Sequence, residues 1–134
     1  MIRSLPFVQA EPDFALKGGT AINLFVRNLP RLSVDIDLAY LPVHDRAASL
    51  AAIDAGLRRI AAAMAARLPD VSVTPGQARA EGVIDKLLVA GDGVQIKIEV
   101  TPVLRGTVFA PALRAVAPAV EDRFGFAEAL MVSL

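Results

Sequence analysis

Lys17-Gly18-Gly19-Thr20 and, further along, Arg31-Leu32-Ser33-Val34-Asp35-Ile36-Asp37-Leu38 decide how this chain reads. The first stretch follows a short apolar approach, Phe14 to Lys17, and puts a glycine turn at the mouth of a helix. Thr20 suits the N-cap. Ala21, Ile22, Leu24, Phe25, Val26 and Leu29 then run apolar nearly all round, which predicts a buried helix, and Pro30 closes it. The second stretch predicts a strand from Ser33 to Leu41. Val34, Ile36 and Leu38 fall on one face and Asp35 and Asp37 on the other.

Working outward, a long helix is expected from His44 to Leu68. Leu50, Ile53, Leu57, Ile60 and Met64 recur at helical spacing along it, and Pro69-Asp70 stops it. Val71 to Thr74 reads as a short strand before the Pro75-Gly76 turn. Val83 to Ala90 and Val94 to Val100 form a hairpin around Ala90-Gly91-Asp92-Gly93. In its second strand Val94, Ile96, Ile98 and Val100 face one way, and Gln95, Lys97 and Glu99 the other. Beyond Pro102 and Val103-Leu104-Arg105-Gly106 a proline-broken loop is expected as far as Pro118. Phe126 to Leu134 reads as the first turns of an apolar helix.

Composition narrows the function classes. The chain has 134 residues, 54% of them hydrophobic, enough for one domain with a core. Lysine plus arginine equal aspartate plus glutamate at 14 each, so no global field draws it to nucleic acid or an anionic membrane. With no cysteine there is neither a disulfide framework nor a thiolate metal site. No stretch approaches the roughly 20 apolar residues of a membrane span, and the start lacks the pattern of a signal peptide, so a cytoplasmic protein is expected.

The chemistry lies in the acidic residues. Two aspartates at i and i+2 of a strand share a face, about 6.5–7 Å apart at the backbone. Their carboxylates supply the hard oxygen ligands that divalent ions need for phosphoryl transfer. Glu99, on the polar face of its own strand, is the best third carboxylate, and its same-face neighbour Lys97 is placed to contact phosphate. Gly18-Gly19 before a helix lets a phosphate approach backbone N–H groups. An Asp-x-Asp pair is equally the solvated face of an edge strand. The glycine turn and Glu99 together favour the chemical reading. His44, Arg58-Arg59 and Arg123-Phe124-Gly125-Phe126 read as surface or packing residues.

Lys17-Gly18-Gly19-Thr20-Ala21 with Arg31-x-Ser33-x-Asp35-Ile36-Asp37-Leu38 resembles the AbiEii-type nucleotidyltransferase toxins, members of the DNA polymerase beta-like superfamily. The run from Ile96 to Gly106 is similar to a further family segment. The resemblance implies an α+β fold: a mixed sheet flanked by helices as a nucleotidyltransferase core over residues 1–134. It implies Asp35, Asp37 and Glu99 as catalytic, metal-binding residues for Mg2+ or Mn2+. It implies Gly18, Gly19 and Thr20 along the triphosphate, with Arg31 and Ser33 beside it. It also implies a nucleoside triphosphate as substrate and, as acceptor, the end of a transfer RNA or a protein hydroxyl. A cognate antitoxin is the expected partner.

Family members continue into a mainly helical half with a further lysine and an Arg-Asp-x-x-Asp-like motif. The segment Glu128 to Leu134 falls near where that half begins, so the domain is expected to be cut short after about residue 126. The alternative reading follows: a catalytically incomplete nucleotide-binding or protein-interaction module, pairing with an antitoxin or with itself through the apolar C-terminal end.

Overall fold

The computed structural model describes residues 2–18, 35–80, 82–91, 93–105, 107 and 109–132. The expected helix from Ala21 to Leu29, with Thr20 as its cap, lies outside them. A single 3-10 turn, Ile2–Ser4, leads into α1 (Leu5–Gln9), with Pro6 in its first turn, where the missing N–H costs nothing. β1 (Phe14–Lys17) and β2 (Asp35–Tyr40) follow, then α2 (Arg46–Arg67) and β3 (Ser72–Pro75). The hairpin β4 (Lys86–Gly91) and β5 (Val94–Arg105) comes next, then β6 (Ala112–Ala115), α3 (Pro118–Phe124) and β7 (Glu128–Met131).

The strands form one mixed sheet in the order β3-β4-β5-β2-β1-β7-β6. β2 runs parallel to β5, and β1 parallel to β7; the other neighbours are antiparallel. The α+β class expected from the sequence is what the chain forms.

α2 starts where Asp45 caps it: the Asp45 carboxylate accepts from the Ala48 N–H at 2.8 Å. Its stripe of Leu50, Ile53, Leu57, Ile60 and Met64 is buried throughout, as its spacing predicts. The stripe packs on the apolar sheet face, where Leu16, Ile36, Leu38, Leu87, Ile96, Ile98 and Val100 join one core. Gly56 lets the Phe14 ring come against the helix backbone. α1 lies over β7 and touches α2. Among the described residues no helix is long and apolar enough to cross a membrane.

Four expectations need correction. Val94 is exposed; it pairs with Gly91 at the tip of the hairpin. The strand expected from Val83 begins at Lys86. Before it, the Ile84 N–H bonds the Asp54 carboxylate, and the Asp85 carbonyl accepts from the Val100 N–H. The expected loop before Pro118 contains β6, and β5 itself runs on to Arg105.

Most consequential, the segment read as helix from Phe126 forms β7, inserted between β1 and β6. Ala129 and Met131 of β7, and Ala127 just before it, are buried within the chain itself, so those side chains are not available to pair with a second copy. Among the described residues of that stretch, Phe126 is the one large apolar residue that stays exposed. The helix that does form nearby, α3, carries signals the sequence displays: Pro118 in its first turn, Glu121 near its N-terminus and Gly125 at its end.

Candidate active site

The polar face of the central strands carries the candidate site. Register alone assembles it: Lys17 pairs with Asp37, Asp37 with Glu99, and Glu99 with Lys86. One row across β1, β2, β5 and β4 therefore reads Lys, Asp, Glu, Lys. Two residues along the strands, a second row pairs Asp35 with Lys97 and Lys97 with Leu88. Asp35 and Asp37 share this face because the strand repeats every two residues, and Lys97, Glu99 and Thr101 share it for the same reason. The opposite face supplies Ile36, Leu38, Ile98 and Val100 to the core, which fixes the register against slippage.

Lys97 is the cation at the centre. Its Nζ lies 2.8 Å from Glu99 Oε2 and 3.9 Å from Asp35 Oδ2. The hydrogen bond to Glu99, with the attraction of all three carboxylates, raises its pKa. The Asp37 carboxyl is pushed above its ordinary value, chiefly by burial and then by the neighbouring Asp35; Lys17 and Lys97 pull the other way. Negative charge is thus crowded on β2.

Gly18 closes the row at the end of β1. Its φ of +73° suits glycine, and a Cβ there would stand 3.0 Å from Asp37 Oδ2. Backbone and carboxylate approach as closely as they do because no side chain intervenes.

The structure thus brings Gly18, Asp35, Asp37, Lys97 and Glu99 together. Gly19, Thr20, Arg31 and Ser33 lie outside the described residues. Sequence reading placed Lys86 in a strand without a reason to bring it to the site, and assigned no role to Lys17 or Thr101. For Thr101 the signal was present, since it follows Lys97 and Glu99 at the strand period. Lys17 and Lys86 join only through cross-strand pairing, which no local pattern discloses. His44 does not reach the row; it contacts the Tyr40 hydroxyl through Nδ1 at 3.1 Å.

The site thus stands on a mixed sheet packed on a long helix, with acidic side chains on its central strands. The chain is similar in structure to the nucleotidyltransferase toxin MenT4 from Mycobacterium tuberculosis H37Rv, with a TM-score of 0.59 and 16% identity. The match covers 98% of this chain and 45% of MenT4, so the chain spans under half the length of that protein. The family model described as nucleotidyl transferase AbiEii toxin, Type IV TA system, matches residues 1–134, and the chain belongs to that family. No curated protein sequence matches it.

Proposed function

We propose that the chain is the toxin component of a toxin–antitoxin system. In this reading it is a metal-dependent nucleotidyltransferase that moves a nucleoside monophosphate from a triphosphate onto a hydroxyl of RNA or protein in the cytoplasm. The observation that carries it is the paired register of Asp37 with Glu99 beside Asp35, closed by Gly18. Three carboxylates on adjacent central strands are an unfavourable arrangement unless cations share it, and burial pushes the Asp37 carboxyl above its ordinary value.

Hard oxygen donors suit Mg2+ or Mn2+. Asp35, Asp37 and Glu99 would hold the ion. Among the described residues no three such groups stand close enough to enclose one as placed. Lys97 holds Glu99, and must release it before Glu99 joins the aspartates. Bound there, a divalent ion supplies charge that acidifies the attacking hydroxyl and screens the triphosphate. The acceptor oxygen bonds the α-phosphorus as the bond to the bridging oxygen breaks. The electron pair departs with pyrophosphate, and the acceptor proton passes to solvent. Gly18, Gly19 and Thr20 would line the triphosphate, with Arg31 and Ser33 beside it, and Lys97 would contact it in place of Glu99.

The test follows α-labelled triphosphate into RNA and protein with Mg2+, beside Asp35→Asn. Transfer should fall by more than about 100-fold, beyond what loss of an outer-shell partner costs. The variant should stay folded, because Asp35 is half-exposed. Undiminished transfer by Asp35→Asn would sink the mechanism.

A second reading is a nucleotide-binding module without transfer. It draws on the ion pair between Lys97 and Glu99 at 2.8 Å, which engages one of the three carboxylates with a cation of the chain itself. Mg2+-dependent stabilisation by a triphosphate, about 2.7 kcal/mol at 100 times its Kd, without label transfer to any acceptor would favour it.

A further inference from the structure

Lys17 does not extend into solvent as strand lysines usually do. Its Nζ donates to Thr101 Oγ1 at 2.8 Å. Lys17 is on β1 opposite Asp37, whereas Thr101 is on β5 opposite Ala39. The lysine therefore crosses β2 diagonally, at the point where β2 offers only the methyl group of Ala39, itself almost fully covered. Ordering a lysine in this way costs side-chain entropy, and an ordinary solvated lysine has no need of it.

The arrangement fixes a cation between the carboxylate row and Gly18. Lys17 directly precedes Gly18, and its charge acts on the Asp37 carboxyl. An ammonium has three donors, of which Thr101 accepts one.

We infer that Lys17 is a phosphate-binding residue and that Thr101 is the positioning residue that aims it. The ligand it takes is the pyrophosphate portion of a nucleoside triphosphate. This inference rests on the nucleotide reading above and adds to it a contact with the β- and γ-phosphates, where charge accumulates as the α-phosphorus bond breaks. A cation fixed in advance stabilises that charge without reorganising.

The experiment compares binding of triphosphate, monophosphate and inorganic pyrophosphate, each with Mg2+, by titration calorimetry. The proteins are the wild-type chain, Lys17→Gln, Lys17→Arg, Thr101→Val and Thr101→Ser. Lys17→Gln should weaken triphosphate and pyrophosphate about 10- to 100-fold, the range of a hydrogen bond to a charged group, and leave monophosphate unchanged. Thr101→Val should show a smaller loss with the same dependence on phosphate number, and Thr101→Ser should restore wild-type binding.

Equal triphosphate binding by wild type and Lys17→Gln overturns the inference alone. So does a loss that is the same for monophosphate, which marks Lys17 as a structural counter-charge to Asp37. Absence of nucleotide binding by the wild-type chain overturns this inference and the nucleotide reading together. Should Lys17→Gln fail to fold, Thr101→Val against Thr101→Ser decides by the same phosphate dependence.

Discussion

Asp37 shows how a residue placed for chemistry weighs on the fold. Burial and the adjacent Asp35 raise its pKa above the unfolded value. The folded state therefore binds that proton more tightly, and stability falls as pH rises through the interval between the two values. Above the raised value the ionised carboxylate destabilises the fold in full; below the ordinary carboxylate range it contributes nothing. Asp37→Asn should accordingly raise Tm at neutral pH in the absence of metal. The gain should shrink to zero as pH is lowered through the carboxylate range. Melting curves from pH 7 down to pH 3.5 check it, and a Tm lowered at pH 7 would show that Lys17 and Lys97 over-compensate the repulsion. With Mg2+ and triphosphate present the order should reverse, since the wild-type chain alone then gains a ligand. A substitution that stabilises the protein and removes its ligand response is what a functional carboxylate predicts.

Among the elements, α2 carries the clearest structural constraint. Glycine inside a helix is unfavourable by about 1 kcal/mol relative to alanine, yet Gly56 sits mid-helix on the buried stripe. The reason is Phe14: a Cβ at residue 56 would stand 2.7 Å from its ring. Overpacking costs about 1–3 kcal/mol, so Gly56→Ala should lower stability by up to about 2 kcal/mol despite the better helix former. Urea unfolding measures this, and a stabilised variant would mean that Phe14 can move aside freely. Local periodicity made α2 legible, and likewise β2 and the inner part of β5, because each shows one buried face. It also marked Asp35, Asp37, Lys97 and Glu99. It could not mark β6, whose residues are exposed throughout, or the role of Lys17 in a segment that reads as an apolar approach. Glu128-Ala129-Leu130-Met131 is composed of good helix formers, and its place between two strands overrides that propensity.

At the scale of the whole molecule, the candidate site lies mid-sheet. β5, β2 and β1 are each paired on both sides, while β3 and β6 take the two edges. Interior strands hold side chains more precisely than loops or edges, as a row of converging charges requires. β7 completes this arrangement, since without it β1 would itself become an edge and β6 would lose its partner. The link is Met131, nearly fully buried and in register with Leu16 of β1. Met131→Ala should cost about 2–5 kcal/mol, and the loss should unfold β1 and the site with it rather than fray the C-terminal segment alone. Hydrogen exchange should then show protection falling together in Phe14–Lys17 and Asp35–Tyr40. Because the partner of Met131 is in the same chain, the drop in Tm should be the same at low and high protein concentration. A drop that grows on dilution would instead return the apolar C-terminal segment to an intermolecular role, since only association makes Tm depend on concentration.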